Sequence, residues 1–298
     1  MKNYKILVPL DFSDAGTFAL QAAQKMAQLF DGTITPFHSY VPVSDMQDTD
    51  PFEISFPSTS VADIEETEKI HRQNLKEFCS GVVSDRILEE PVVEVGNPAA
   101  AIAETAKKFD LIVMSSHGRT GFSRFFLGSV SDKVLRTAHT PVLIVKKEKQ
   151  LQTIDNILLT TDFSEHAKNA FPLAKEIARK ANAKITLLNV LSFDIKREKP
   201  DQTTIDKRKK RLDDLAHAEL SAVQHQLETR VIVSSDSPHE AILNEDLNNN
   251  YSLIIMSSVG HTGIEYLMMG STTSNVVRHV ESPVLSINPK KKSSNREE

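Results

Sequence analysis

Short apolar runs alternate with longer amphipathic stretches along the whole chain. In the first half, aliphatic and β-branched runs at 6–10, 33–38, 92–95, 111–114 and 142–145 predict strands. Between them, apolar positions recur at helical spacing over 15–29, 62–78, 99–107 and 129–137. Asp14 and Ser129 stand where helix N-caps are expected. The second half repeats the strand-like runs at 157–159, 184–190, 230–233, 253–256 and 284–287. Strands apolar on both faces and separated by helices predict a parallel sheet covered on each side, with right-handed crossovers. The expected class is α/β: two tandem doubly wound domains, each a five-stranded parallel sheet with helices on both faces.

The two halves repeat in sequence as well as in pattern. "KILVPLDFSDAGTFALQAAQKMA" recurs as "NILLTTDFSEHAKNAFPLAKEIA", which pairs Asp11-Phe12-Ser13 with Asp162-Phe163-Ser164. "GNPAAAIAETA" pairs with "DSPHEAILNED", and "TPVLIVK" with "SPVLSIN". The unit is far longer than a solenoid repeat, so a whole domain is duplicated. The expected domains are 1–148 and 153–289, followed by a disordered tail at 290–298. The first unit carries an extra aperiodic segment at 42–60, rich in Pro, Ser and Asp. Both units end in an apolar strand with an open edge, so 142–145 and 284–287 are expected to meet, making one chain an intramolecular pseudo-dimer. A homodimer of whole chains is the further assembly to consider.

Composition narrows the function classes. A length of 298 residues suits two domains, and a net charge of −5 offers no basic face for nucleic acid. The single Cys79 excludes an intramolecular disulfide and is expected to pack or sit near a helix end. No run reaches the length of a membrane span, and "MKNYKILVPLD" is too short for a signal peptide, so a cytoplasmic protein without membrane attachment is expected. The ten histidines lack metal-ligand spacing, and neither a P-loop nor a G-x-S-x-G elbow occurs. The basic stretch "DKRKKRLDDLAHAEL" reads as a solvated helix face.

Candidate chemistry gathers at the carboxyl ends of the strands, where doubly wound sheets bind ligands. Asp11 and Asp162 follow the first strand of each unit. "SSHGRTGFSRFFLGSVS" (115–131) follows the fourth strand, and "SSVGHTGIEYLMMGSTTS" (257–274) repeats its layout. Each ends in Gly-Ser opening a helix, where free N–H groups and the macrodipole attract phosphate. Ser129, Ser131, Ser271 and Thr272 add hydroxyl donors, and an Asp at the first strand's end can accept from a ribose or a base. Together these describe a nucleotide site. The plainer readings stand beside it: glycines also make ordinary turns, and Ser13 or Asp14 could simply cap a helix.

These residues resemble the universal stress protein family, whose domains carry a terminal-strand Asp, a G-x-P segment after strand three and G-x-x-G-(nine residues)-G-[ST] after strand four. Here "GNP" (96–98), "DLIVMSSHG" and "GSVS" carry the likeness, and it spans nearly the whole chain in two copies. The chain departs from the motif at its first glycine, which is Ser115 and Ser257, and Asp236 replaces the glycine of G-x-P in the second unit.

The resemblance implies binding of ATP, or ADP or AMP, with Mg²⁺ accompanying ATP. It implies nucleotide contacts for Pro9, Leu10 and Asp11, for Ser39 after strand two, and for Met114, Ser115, His117, Gly118, Arg119 and Gly121. Gly128, Ser129, Val130 and Ser131 complete the first site. The second would hold Thr161, Asp162 and Val190 (the usual apolar adenine contact), then Met256, Ser257, Gly260, His261 and Gly263, and finally Gly270, Ser271 and Thr272. No catalytic residue and no metal ligand is implied. The expected role is a stress-response sensor or regulator. A nucleotide-independent interaction protein with degenerate sites and a slow ATPase remain the alternatives.

Overall fold

A computed structural model describes residues 4–41, 61–117, 127–196, 198–259 and 269–288. Aliphatic runs too short for helices become strands buried from both sides: Ile6, Leu7 and Val8 are all fully buried, as are Val142 and Leu143. In the first half β1 (Tyr4–Pro9), α1 (Ala15–Phe30), β2 (Gly32–Tyr40), α2 (Val61–Cys79), β3 (Val92–Val95), α3 (Pro98–Thr105), β4 (Leu111–Ser115), α4 (Ser129–Thr137) and β5 (Val142–Val145) follow in order. The second half repeats them as β6 (Asn156–Thr160), α5 (Phe171–Ala181), β7 (Lys184–Ser192), α6 (Gln202–Leu220), β8 (Leu227–Ser234), α7 (Pro238–Asn249), β9 (Leu253–Ser257), α8 (Ser271–His279) and β10 (Val284–Ile287).

All ten strands form one sheet in the order β3-β2-β1-β4-β5-β10-β9-β6-β7-β8. Pairing is parallel within each half and antiparallel at the centre, where Leu143 faces Leu285. Both pairing edges expected from the sequence are therefore used inside one chain. Alternate side chains feed two cores. Ile6, Val8, Leu111 and Val113 pack with α1 and α2, and their second-half equivalents pack with α5 and α6. Leu7, Ile112, Met114 and Ile144 pack with α3 and α4, continuing to α7 and α8.

Local turns explain where elements stop. Asp31 takes the left-handed conformation (φ 52°) and ends α1, donating its N–H to Ala27 O. At the next residue a Cβ on Gly32 would lie 2.3 Å from Tyr4 O, so only glycine fits between β1 and β2. The two expected side-chain caps are corrected. Asp14 occupies the N-cap position of α1, but its side chain makes no capping bond. Gly128, and not Ser129, is the N-cap of α4. Caps that do form among the described residues are Asn97 on Ala100 N at α3, Asp201 on Thr204 N at α6, and Ser237 with Glu240 in a capping box at α7. Cys79 is fully buried at the end of α2, and burial pushes its thiol up to about 12, leaving it inert.

The halves also cap each other. Lys146, just past β5, donates through Nζ to Arg278 O and Val280 O at the carboxyl end of α8 (2.9 and 2.5 Å). Asn288, just past β10, donates to Leu135 O (3.1 Å) and Ala138 O at the end of α4. Beside them Arg278 of α8 reaches Asp132 of α4 at 3.0 Å, and Arg136 reaches the same carboxylate at 2.8 Å. The segments 42–60 and 290–298 lie outside the described residues.

Candidate functional site

Strand order creates the site. From β1 the chain runs outward through β2 and β3, then returns to the other side of β1 as β4. That reversal opens a crevice at the carboxyl ends of β1 and β4, and the same happens at β6 and β9. A cleft of about 280 Å³ occupies the first crevice and one of about 410 Å³ the second.

In the first cleft, Pro9, Leu10 and Asp11 at the end of β1 meet Ser39 of β2, Met114, Ser115 and His117 from β4, and Gly128, Ser129, Val130 and Ser131 opening α4. In the second, Thr161 and Asp162 meet Val190, Met256, Ser257, Gly270, Ser271 and Thr272. Ser39 lies within its strand rather than beyond it, because β2 runs to Tyr40, and Val190 lies inside β7 as expected. Gly118, Arg119, Gly121, Gly260, His261 and Gly263 lie outside the described residues. Asp236 is exposed and does not line the second cleft, so water screens its charge there.

Phe37, Pro98 and Ile102 wall the first cleft, and Leu188, Pro238 and Ile242 the second. The sequence pattern assigns none of them a ligand contact, although Pro98 stands in the G-x-P segment. The aligned prolines were the available signal, since each starts a helix that leans over its cleft.

The helix starts supply the anion-attracting end. Gly128 (φ −56°) and Gly270 (φ −60°) have backbones any residue could adopt, so the demand at Gly128 is for space. A Cβ there would stand 3.3 Å from Ser116 O. With no side-chain cap at either N-terminus, the first N–H groups of α4 and α8 have no acceptor within their helices.

Hydrogen bonds correct the expected donor set. Ser131 Oγ donates to Ser115 O (2.9 Å), and Thr273 Oγ1 to Ser257 O (2.8 Å), so these hydroxyls pin the helix to the preceding strand. The true counterpart of Ser131 is therefore Thr273, which the sequence reading did not name. The serines at the motif's first position fold back on their own loops: Ser115 Oγ donates to His117 O (2.7 Å) and Ser257 Oγ to Val259 O (3.0 Å). Ser129, Ser271 and Thr272 remain as hydroxyls at the helix starts.

The Asp-Phe-Ser loops are bent tightly. Asp11 Oδ1 accepts from Ser13 N (3.1 Å) and Ser13 Oγ (2.6 Å), and Asp162 Oδ1 accepts from Ser164 N (2.9 Å). These turns place Phe12 and Phe163 at φ 63° and 65°, a strained region for a bulky residue. Below each loop a β2 or β7 side chain supports the strand end. His38 Nδ1 bonds Leu10 O (2.7 Å), and Asn189 Nδ2 donates to Thr161 O (2.7 Å).

Comparison with known proteins bears on the family and the fold. A sequence model of the universal stress protein family matches residues 2–146 and again 153–288. A universal stress protein of Methanocaldococcus jannaschii is 34% identical over 154 residues, covering 49% of this chain and 84% of its own. One from Mycolicibacterium smegmatis is 24% identical over 297 residues, covering 97% of this chain and 98% of its own. The crystal structure of a universal stress protein from Archaeoglobus fulgidus superposes with a TM-score of 0.67 at 22% identity, covering 97% and 99% of the two chains.

Proposed function

The chain belongs to the universal stress protein family, and on that premise we propose that each half binds an adenine nucleotide, ATP first and ADP or AMP as alternates. Occupancy is the output, and the protein acts in the cytoplasm as a sensor or regulator. The observation that carries this reading is the meeting of an apolar slot and an uncapped helix start in one crevice, twice in the same chain.

Phe37 and Ile102, or Leu188, Val190 and Ile242, sandwich the base. The first N–H groups of α4 or α8 take the phosphates, helped by Ser129 or by Ser271 and Thr272. Asp11 and Asp162 face the sugar or base edge, each held by its own loop. Mg²⁺ travels on the ATP phosphates; among the described residues no cluster of acids, histidines or cysteines is arranged to hold a metal by itself.

The interaction-protein reading draws on Ser115 and Ser257, whose hydroxyls serve their own loops and leave the phosphates to fewer donors. Calorimetric titration with ATP, ADP and AMP separates the two. Two nucleotides bound per chain are expected. Gly128→Asp and Gly270→Asp should each abolish one, by placing a carboxylate against one phosphate end. Absence of binding by any adenine nucleotide refutes the proposal. Turnover on the order of 10 per second would move the chain to the enzymes.

A further inference from the structure

The two clefts differ on the side of the sheet away from the base slot. Leu75 of α2 and Leu212 of α6 are equivalent, fully buried positions, and one turn earlier each helix lays a side chain over the Phe of its Asp-Phe-Ser loop. In the first half that side chain is His71, 6.1 Å from Phe12 between ring centroids. In the second it is Arg208, with its guanidinium 5.4 Å from the Phe163 centroid, and Arg211 joins it at 4.3 Å. The first-half residue in the place of Arg211 is the uncharged Asn74.

Two guanidinium groups thus share one ring. No hydrogen bond or ion pair reaches either of them among the described residues. Burial and the neighbouring Arg211 lower the pKa of Arg208, and no carboxylate acts on it. Asn189 lies on the same side of the sheet, since Leu188 and Val190 alternate with it towards α7 and α8. It is 2% exposed, and its Oδ1 has no hydrogen-bond partner while its Nδ2 is held by Thr161 O. The second cleft also reaches this side. Asp162, Asn189 and Ala167 line it there, where the first cleft has Asp11 and His38, and the His38 Nδ1 is already taken up by Leu10 O.

We propose that Arg208, Arg211 and Asn189 form a second polar subsite of the second cleft, which takes a ribose phosphorylated on one secondary hydroxyl. The guanidinium pair takes the phosphate oxygens and the buried amide oxygen accepts from the adjacent free hydroxyl. The ligand class is a nucleoside bisphosphate: one phosphate at the start of α8, the other across the sheet edge on α6. This rests on the nucleotide reading of the second cleft.

The test is calorimetry on the full-length Gly128→Asp chain, so that only the second cleft reports, with AMP, adenosine 3′,5′-bisphosphate and inorganic phosphate. The bisphosphate should bind about tenfold tighter than AMP, as one added charge-assisted contact provides. Arg208→Gln with Arg211→Gln should erase that gain and leave AMP unchanged, and replacement of both by Lys should restore part of it. Equal affinities, or a gain that survives the Gln pair, overturn the proposal. Arginine-dependent binding of inorganic phosphate without any bisphosphate gain overturns the ribose-borne source. If AMP itself does not bind, the nucleotide reading of this cleft fails first and the subsite falls with it.

Discussion

Replacing Lys146 by Met should make the chain respond differently to alkali, because the ammonium of Lys146 is buried to cap a helix of the opposite half. The residue is 5% exposed and donates to Arg278 O and Val280 O. Burial pulls its pKa down to about 8, although Glu148, Glu281 and Asp246 pull the other way. In the unfolded chain a lysine keeps its proton to about 10.4. Between these two values the unfolded state holds more protons, so this group makes stability rise with pH across that window. At 1.36 kcal/mol per pH unit within it, the gain from pH 7.5 to pH 10 is about 2 kcal/mol.

Urea unfolding of both proteins at the two pH values measures it as a difference of differences. Burial raises the pKa of Tyr4, and pushes that of Tyr251 up to about 12, which lowers stability as pH climbs through about 10. Both chains share those tyrosines, so their effect cancels. A gap between wild type and variant that stays constant to within about 0.5 kcal/mol would refute a desolvated Lys146.

Further outcomes follow from single contacts. Gly32→Ala should lose about 2 kcal/mol or more, since its Cβ meets backbone and not a movable side chain, and an unchanged melting temperature would contradict that. The Arg136 hydrogen bond, then that of Arg278, holds the Asp132 carboxyl below the usual carboxylate range. Asp132→Asn should therefore lose about 1 kcal/mol at neutral pH, and the gap to wild type should close as pH falls below about 4; a gap unchanged in acid would exclude a charge effect. Ser286 is 1% exposed with no partner for its Oγ, so Ser286→Ala should be neutral or stabilising by up to about 1 kcal/mol, and a clear loss would reveal a hidden bond. Residues 1–148 expressed alone should self-associate through the uncovered β5, which gel filtration will show; a stable monomer with no affinity for 153–289 would count against it.

The strands were legible because residues such as Ile6–Val8 and Val142–Ile144 have no polar face to show, which only a doubly covered sheet explains. Their ends were not. β8 begins at Leu227, because Glu228 and Thr229 join the ladder with Thr186 and Leu187 despite their polarity. The helix caps were misjudged for a related reason: a sequence shows which side chains could cap, and the backbone of Asp14 (φ −55°, ψ −29°) is already helical, turning its carboxylate away from that task. At the clefts, the motif residues that the structure describes do line the two crevices. The hydroxyl roles were not, since counting donors at Ser115 and Ser131 says nothing about where each hydrogen points. Phe37, Ile102, Leu188 and Ile242 were missed because an apolar residue in a regular element looks the same whether it faces a core or a ligand.

The exchange of caps between the halves also sets a clock on synthesis. The acceptors at Leu135 and Ala138 emerge from the ribosome well before Asn288, which completes the end of α4. At 5–20 residues per second the intervening chain takes about 8 to 30 s to make. For that interval β5 has no antiparallel neighbour of its own, yet a β5 from another nascent chain on the same message presents a closely similar edge. Expression that places ribosomes close together should therefore favour chains joined through their first halves, and slower initiation should favour chains closed on their own β10.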